Sequence, residues 1–494
     1  MASIRANDGR PRPLPHAGEG CGEGGRCARR EIIAPAVKYV VCLALSAILT
    51  ACASFDPHNI ISRNLPVGTA ETWGAATPTV RLAAIDAVWN TVNEHYYRAD
   101  LNGVDWRAAR SRWQPQAMAA TTDDEFWERL DLMAGELADS HTRVESPKAV
   151  ERRKRQQAFS LGLNIRELDG KLTVLSVNPE ADAYWAGVRA GMQVTRIADR
   201  DGLTQWREWS LSARKTSSPQ AALRAPLRKL NAEAALVATD ANVTNDTKGA
   251  NGGGLTMEFE RIDGTRFSAA LKPRTLSTRP SVSHRVLPSG IGYVRLTAFQ
   301  EFLRSGVLDA VTALKDTPAL ILDLRGNGGG SAAMSEALIG SFFKEKTLIG
   351  RTETRSGQPV TIAFGAIKLI TLERSVPGRT DAYAGKVAIL MDSDSASASE
   401  ATAGGLQSTG RAIVVGETSC GCLLAYLGYA TLPGGGELAY SEVGFTTVKG
   451  ERIEGRGVIP DLAVERTPED IRANRDRALE MAQAALLKPE TAFR

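Results

Sequence analysis

Twice in this chain an aliphatic run of strand length empties into small residues and then into a helix-compatible run. No other feature limits the fold as strongly. Ala319 to Leu322 leads through Asp323-Leu324-Arg325-Gly326-Asn327-Gly328-Gly329-Gly330 into Ser331 to Phe342. Val387 to Met391 leads through Asp392-Ser393-Asp394-Ser395-Ala396-Ser397-Ala398-Ser399-Glu400 into Ala401 to Leu406. Each unit reads as buried strand, sharp turn, helix, which places the chain in the α/β class. A serine on such a turn holds its Oγ at the end of a sheet. The amide of the next residue, here Ala398, points where an oxyanion would form. Taken alone, a Ser/Ala-rich helix start is more often only a cap. Its surroundings decide.

Those surroundings exclude several chemistries. The triple glycine before a helix has the look of a phosphate cradle, but no Lys-Ser/Thr follows it and no dinucleotide GxGxxG is present. The five histidines form no HExxH and the six cysteines no pair of CxxC motifs, so neither a metal nor another cofactor is expected. A net charge of +4 on 494 residues is mild, and no basic cluster interleaves with aromatics, which argues against nucleic acid as a partner. With 43% hydrophobic residues the chain can bury several cores.

At the amino terminus, Tyr39 to Ala51 is an apolar run behind Arg29, Arg30 and Lys38, too short for a comfortable membrane span and built like a secretory signal. It ends in Leu49-Thr50-Ala51-Cys52, which resembles the bacterial lipobox. That resemblance implies cleavage before Cys52 and lipidation of Cys52; the plainer alternative is an ordinary signal with an incidental cysteine. The Gly/Pro/Arg-rich stretch before it fits no part of a signal and suggests a start assigned about 30 residues too early. Only Cys52, Cys420 and Cys422 would remain in the mature chain, so no disulfide framework is expected.

Leu82, Ile85, Trp89, Val92 and Tyr96 mark one apolar helix face. A second helix starts at the capping box Thr122-Asp123-Asp124-Glu125 and runs out at Ala138-Asp139-Ser140-His141-Thr142. His141 is thereby delivered at a helix end beside a hydroxyl and a carboxylate. The basic run Lys148 to Arg155 reads as a solvated linker.

Leu161-Gly162-Leu163, the strand-like Leu172 to Val177, Ala186-Gly187-Val188 and Ala190-Gly191-Met192 together resemble a PDZ domain of the circularly permuted bacterial kind. That resemblance implies that amides of Leu161, Gly162 and Leu163 hold a peptide's terminal carboxylate. Residues 203–254 are polar, Ala/Asn/Thr-rich and end in three glycines, as an insertion or mobile loop would. Leu255 to Phe259 and Phe267 to Leu271 read as a closing hairpin. The domain could also be a β-rich module that no longer binds peptide.

The glycine-rich turn, Ser395-Ala396-Ser397-Ala398-Ser399-Glu400, Gly410-Arg411-Ala412-Ile413-Val414-Val415-Gly416-Glu417 and Gly457-Val458-Ile459-Pro460-Asp461 follow one another in the order of the C-terminal-processing (tail-specific) serine proteases and their tricorn-core relatives. The chain resembles that family from Ala75 to about Val464. The resemblance implies a multidomain α/β protein with a ClpP/crotonase-like ββα catalytic core, a PDZ-like domain and a helical N-terminal domain. The corresponding plan is a leader over 1–51, helical domain 52–150, PDZ-like domain 156–275 with insertion 203–254, core 282–480 and tail 481–494.

Carried over residue by residue, the nucleophile is Ser397, and the oxyanion donors are the Ala398 amide and a glycine amide of Gly328 or Gly329. The processing branch activates its serine with a lysine, but Cys422 stands at that position, and no other lysine lies between Lys386 and Lys449. A thiol with pKa near 8.5 is mostly protonated at neutral pH and is a poor general base. The tricorn-like branch uses histidine instead: its Ser-His pair matches Ser140-His141, and its glutamate matches Glu454. An imidazole with pKa near 6.5 can take the Oγ proton and return it to the leaving amine, held in one tautomer by a hydroxyl and a carboxylate.

The expectation is a serine endopeptidase of the bacterial envelope, on the periplasmic side and lipid-anchored to the membrane. It would cleave peptides or unfolded proteins, with recognition of substrate C-termini left open. The alternative is a catalytically impaired relative that binds peptides or scaffolds a complex. Cys420 and Cys422 are read as two small packing residues ahead of a redox pair.

Overall fold

The computed structural model describes residues 77–155, 159–243, 253–276 and 279–488, together with Phe55 and Ile60. The leader and the proposed lipidation position Cys52 lie outside the described residues. The described residues belong to one compact unit.

The helical lead-in comprises α1 (Pro78–His95), α2 (Trp106–Met118) and α3 (Asp123–Gly135). Ile85, Val92, Phe126, Leu130 and Met133, apolar at helical spacing, share one core. Thr122 caps α3 through the Glu125 amide. After α3 the chain turns through Ala138 at φ 49° into β1 (Arg143–Glu145). His141 therefore sits on a tight loop between helix and strand.

The expected linker at Lys148 to Arg155 is instead helix α4 (Pro147–Lys154). Ser146 caps it and Pro147 occupies the first turn, where its missing N–H costs nothing. Its basic residues are engaged: Arg153 pairs with Glu145 and Glu437, and Lys154 with Glu437.

A second sheet is built from β2 (Leu163–Leu168), β3 (Lys171–Val177), β4 (Gln193–Ile197), β5 (Leu255–Glu260) and β6 (Arg266–Leu271), neighbours in that order and antiparallel. Residues 203–254, expected as a loop, carry helices: α5 (Gly202–Leu211), a turn at Pro219–Ala222 and α6 (Ala225–Val243). The alanines of this stretch are strong helix formers. Trp206, Leu230 and Ala234 join the core of the second sheet.

The main sheet has six strands in chain order: β7 (Val282–Val286), β8 (Gly292–Leu296), β9 (Ala319–Asp323), β10 (Lys386–Met391), β11 (Ile413–Gly416) and β12 (Leu462–Ala463). β7 is antiparallel to β8, and all other pairings are parallel. Alternation along the strands feeds two cores. Leu320, Leu322, Val387, Ile389 and Met391 face α7 (Arg304–Ala313), α8 (Ala332–Gly340) and α9 (Ala398–Ser408). Ile321, Ala388 and Leu390 face α10 (Arg477–Leu486). Both faces are covered, so the strands read as continuous apolar runs. Helix α10 crosses the expected tail boundary at 480, and Ala482 and Leu486 are buried in the core.

Candidate active site

β9 and β10 are adjacent and parallel, so their two small-residue turns emerge side by side at one edge of the sheet. Four hydrogen bonds fasten them. The Ala396 amide and the Ser399 hydroxyl both donate to Asn327 O (3.0 and 2.9 Å), the Gly326 amide to Asp392 (2.9 Å), and the Ser395 hydroxyl to Leu324 O (2.9 Å). Gly329 presses directly on the nucleophile turn. A Cβ there would fall 2.7 Å from Ser397 Cβ and 2.8 Å from Ala398 N, and its φ of 93° independently favours glycine.

Ser397 precedes α9 with φ 56° and ψ −117°, a backbone conformation that non-glycine residues seldom adopt and that clusters at functional positions. Its amide donates to Cys422 O (3.1 Å) and to a Glu400 oxygen (2.9 Å). Glu400 is fully buried and also accepts from the Gly421 amide (2.6 Å), the Cys422 amide (3.0 Å) and the Ser419 hydroxyl. It locks the serine turn to the 419–422 loop. Burial pushes its carboxyl up, while the Ser419 hydroxyl and the three amides pull it back.

The oxyanion assignment narrows here. The Gly329 amide donates to Asn327 Oδ1 (2.9 Å) and is spoken for. Gly328 lines the cleft beside Ser397, and its amide and that of Ala398 have no hydrogen-bond partner among the described residues.

Cys420 and Cys422 are joined by a disulfide, against the expectation of two packing residues and no disulfide. The position taken by a lysine in the processing branch thus holds a sulfur with no proton to exchange. Both cysteines are buried with Ala221 and Ala396.

Ser140, His141 and Ser397 line one cleft of about 1000 Å³; Glu454 is half-buried and is not part of its lining. No hydrogen bond joins Ser397 Oγ to His141 among the described residues. Burial, reinforced by Arg143 and Arg224, holds the imidazole below its ordinary pKa, with Asp139 opposing. It is therefore neutral at pH 7 and able to accept a proton. Its Nδ1 is buried without a partner.

The expected His-Ser-Glu chain is altered by a residue the sequence did not flag. Ser140 does not bond His141; it exchanges hydrogen bonds with Ser217. The Ser140 amide donates to Ser217 Oγ (2.8 Å), and the Ser217 amide donates to Ser140 Oγ (3.1 Å). The Ser217 hydroxyl also faces the Glu454 carboxyl and lowers its pKa, although Glu454 Oε1 lacks a well-formed hydrogen bond. Glu454 Oε2 accepts from the Leu423 amide (2.6 Å). Burial, helped by Asp139, drives the Glu454 carboxyl well above its ordinary value. The carboxylate beside the histidine, Asp139, fixes the loop rather than the ring: it accepts from the His141 amide (2.7 Å) and from the hydroxyls of Thr142 and Ser441.

The amides expected to bind a peptide carboxylate are engaged within the chain. The Leu161 amide donates to Asn231 Oδ1 of α6 (2.8 Å) and the Gly162 amide to Ser160 Oγ (3.0 Å), while Leu163 is the first residue of β2.

Comparison with known proteins agrees with this geometry. Residues 290–464 match the model for peptidase family S41, and residues 84–135 match the tricorn protease C1 domain. The carboxyl-terminal-processing peptidase 3 of Arabidopsis thaliana is 24% identical over 77% of this chain and 68% of its own length. The carboxyl-terminal-processing protease of Picosynechococcus sp. is 25% identical over 77% of this chain and 82% of its own. Among solved structures, the photosystem II D1 C-terminal processing protease superposes with a TM-score of 0.52 at 20% identity, covering 83% of this chain and 98% of the other. A mixed α/β fold presenting a strained serine at the carboxyl edge of a parallel sheet, with these relatives, defines a serine peptidase. The family matched over residues 290–464 is peptidase family S41, and these relatives, at 24–25% identity, are carboxyl-terminal-processing proteases.

Proposed function

We propose that this chain is a histidine-dependent endopeptidase, with Ser397 as nucleophile and His141 as general base and acid. Supporting this is the presence of Ser397, in its strained conformation, and a half-buried His141 held below its ordinary pKa on the wall of one cleft, while the lysine position holds a disulfide. His141 takes the Ser397 Oγ proton as Oγ attacks the scissile carbonyl, and the amides of Ala398 and Gly328 stabilise the oxyanion. The imidazolium then protonates the leaving amine, and water repeats the sequence on the acyl-enzyme. Ser140 and Ser217 fasten the loop that carries His141, and the Ser217 hydroxyl links that loop to the Glu454 carboxyl.

The finer assignments belong to the same reading. The core is of the ClpP/crotonase kind. The β2–β6 sheet is a PDZ-like module whose carboxylate loop is closed by Asn231 in this state. Cys52 is the lipid anchor on the periplasmic face, and substrates are peptides or unfolded proteins. Among the described residues no helix is long and apolar enough to cross a membrane.

A fluorophosphonate probe should label the wild type at Ser397 and leave Ser397→Ala and His141→Ala unlabelled. Equal labelling of wild type and His141→Ala would remove histidine from the mechanism. For the anchor, Cys52→Ser should move the protein from the membrane fraction to the soluble one; unchanged partition would refute lipidation.

A further inference from the structure

Helix α6 lies between the second sheet and the catalytic cleft. Its apolar residues Leu230 and Ala234 are buried in the sheet's core. The opposite face, Ala225, Arg228, Lys229 and Ala232 at helical spacing, lines the cleft that holds Ser397.

Charges on the cleft wall are compensated with one exception. Arg143 pairs with Glu145 (3.1 Å), Arg214 lies 3.7 Å from Asp131, Arg224 bonds Asp394 (3.0 Å) and Lys229 bonds Glu128 (3.2 Å). Arg228 lines the same space, and its guanidinium has no hydrogen bond or ion pair among the described residues. Its side chain is exposed to the cleft, and its surroundings are electropositive: desolvation by the cleft walls, then the nearby Arg214 and Arg224, push its pKa down, with Asp131 opposing them. A guanidinium held among cations beside a reactive serine is a binding position for a carboxylate, which it can grip with two parallel N–H donors.

We propose that Arg228 is a specificity-determining residue that draws substrates carrying a carboxylate into the catalytic cleft. Two sources share that chemistry, an Asp or Glu side chain near the scissile bond and a free C-terminus. The proposal rests on the peptidase reading of the cleft and extends it to substrate class. It also relocates carboxylate recognition from the Leu161–Leu163 loop, closed by Asn231, to a residue one turn earlier on the same helix.

The test uses the full chain and an internally quenched peptide in which one Glu is walked through successive positions, made with a free and an amidated C-terminus. With wild-type enzyme, kcat/KM should fall at least tenfold when the preferred carboxylate is neutralised, by Glu→Gln if it is a side chain or by amidation if it is the terminus. Arg228→Gln should reduce that ratio to less than about twofold. Arg228→Lys should restore part of it, and Arg228→Glu should move the preference to Lys at the same position. The wild-type ratio should shrink with added salt, as for a partly exposed ion pair. Anisotropy of labelled peptides on Ser397→Ala enzyme reads the same preference without turnover, so an inactive wild type would refute the peptidase reading while this arm still judged Arg228. An unchanged ratio in Arg228→Gln, or equal rates of the wild type on all peptides, would overturn the proposal.

Discussion

Replacing Ser217 by Ala removes a single oxygen from between Ser140 and Glu454. The Ser140 amide loses its acceptor at 2.8 Å, while the Ser217 amide keeps its own bond to Ser140 Oγ. Ser140 is half-buried, so an orphaned N–H there costs about 1–2 kcal/mol, the lower part of the range for unsatisfied buried donors. The Glu454 carboxyl loses the hydroxyl that holds it down, and the loop carrying His141 loses one of its four hydrogen bonds to the inserted segment. The others run from the Ser217 amide to Ser140 Oγ and from Arg214 to the carbonyls of Asp139 and Thr142. Since misplacing a catalytic group by about 1 Å can cost a hundredfold in rate, kcat should fall on the order of 10- to 100-fold with little change in KM. Ser217→Thr keeps the hydroxyl and should recover most of the loss, which a purely structural role for the side-chain volume would not allow. Stopped assays on a quenched peptide give kcat and KM, and urea titration gives stability through a shift in midpoint at constant slope. If Ser217→Ala matched the wild type in kcat and midpoint while Ser397→Ala was inactive, the serine pair would be a packing detail with no part in orienting His141.

Three further outcomes follow from the same geometry. Glu400→Ala strands the amides of Gly421 and Cys422 and the Ser419 hydroxyl in a buried space and leaves the Ser397 amide only Cys422 O, and should lower stability by about 3–5 kcal/mol and abolish turnover; a urea midpoint within error of wild type would contradict it. His141 is held below its ordinary pKa by burial, so the neutral base should persist to lower pH and the acid limb of kcat/KM should fall below about pH 6.5. Its folded pKa lies below the unfolded one, so the unfolded chain binds the extra proton and stability should drop as pH falls through about 6.5; a His141→Gln variant with the same pH dependence would refute that link. Opening the Cys420–Cys422 loop by Cys→Ala at both positions releases only about 1–2 kcal/mol of loop-closure entropy, and Glu400 still clamps the loop, so turnover should stay within a few-fold; loss of more than tenfold would make the disulfide part of the machinery.

What was readable in the chain was what neighbours in sequence decide. The two strand–turn–helix units, the serine on the second and the histidine past α3 all announce themselves in runs of 24 residues or fewer. Two helices were misread for a shared local reason. Ser146-Pro147 and Ser218-Pro219 are capped starts, but the basic run after one suggested a linker and the Ala/Asn/Thr-rich composition around the other an insertion or mobile loop. The remaining errors involve partners far apart in the chain. Ser217 stands 77 residues from Ser140, and Asn231 70 residues from Leu161, and no periodicity links either pair. Gly329 was offered as an oxyanion donor because nothing in the motif shows that Asn327 bends back to claim its amide. Glu400 was in plain view as the last letter of the serine motif, at the third helical position where a capping-box carboxylate sits, yet its hold on the 419–422 loop needs the folded chain.

The parts that would cut a peptide bond come from four distant places, His141 before β1, Ser217 in the inserted segment, Ser397 after β10 and Glu454 ahead of β12. During synthesis the histidine emerges first and the glutamate last, with more than 300 residues between them. Domains fold as their chain becomes available, and contacts between remote segments form late. A nascent chain therefore carries its base and its nucleophile before it can align them. On the proposed assignment, completing the active site and completing the fold are the same event.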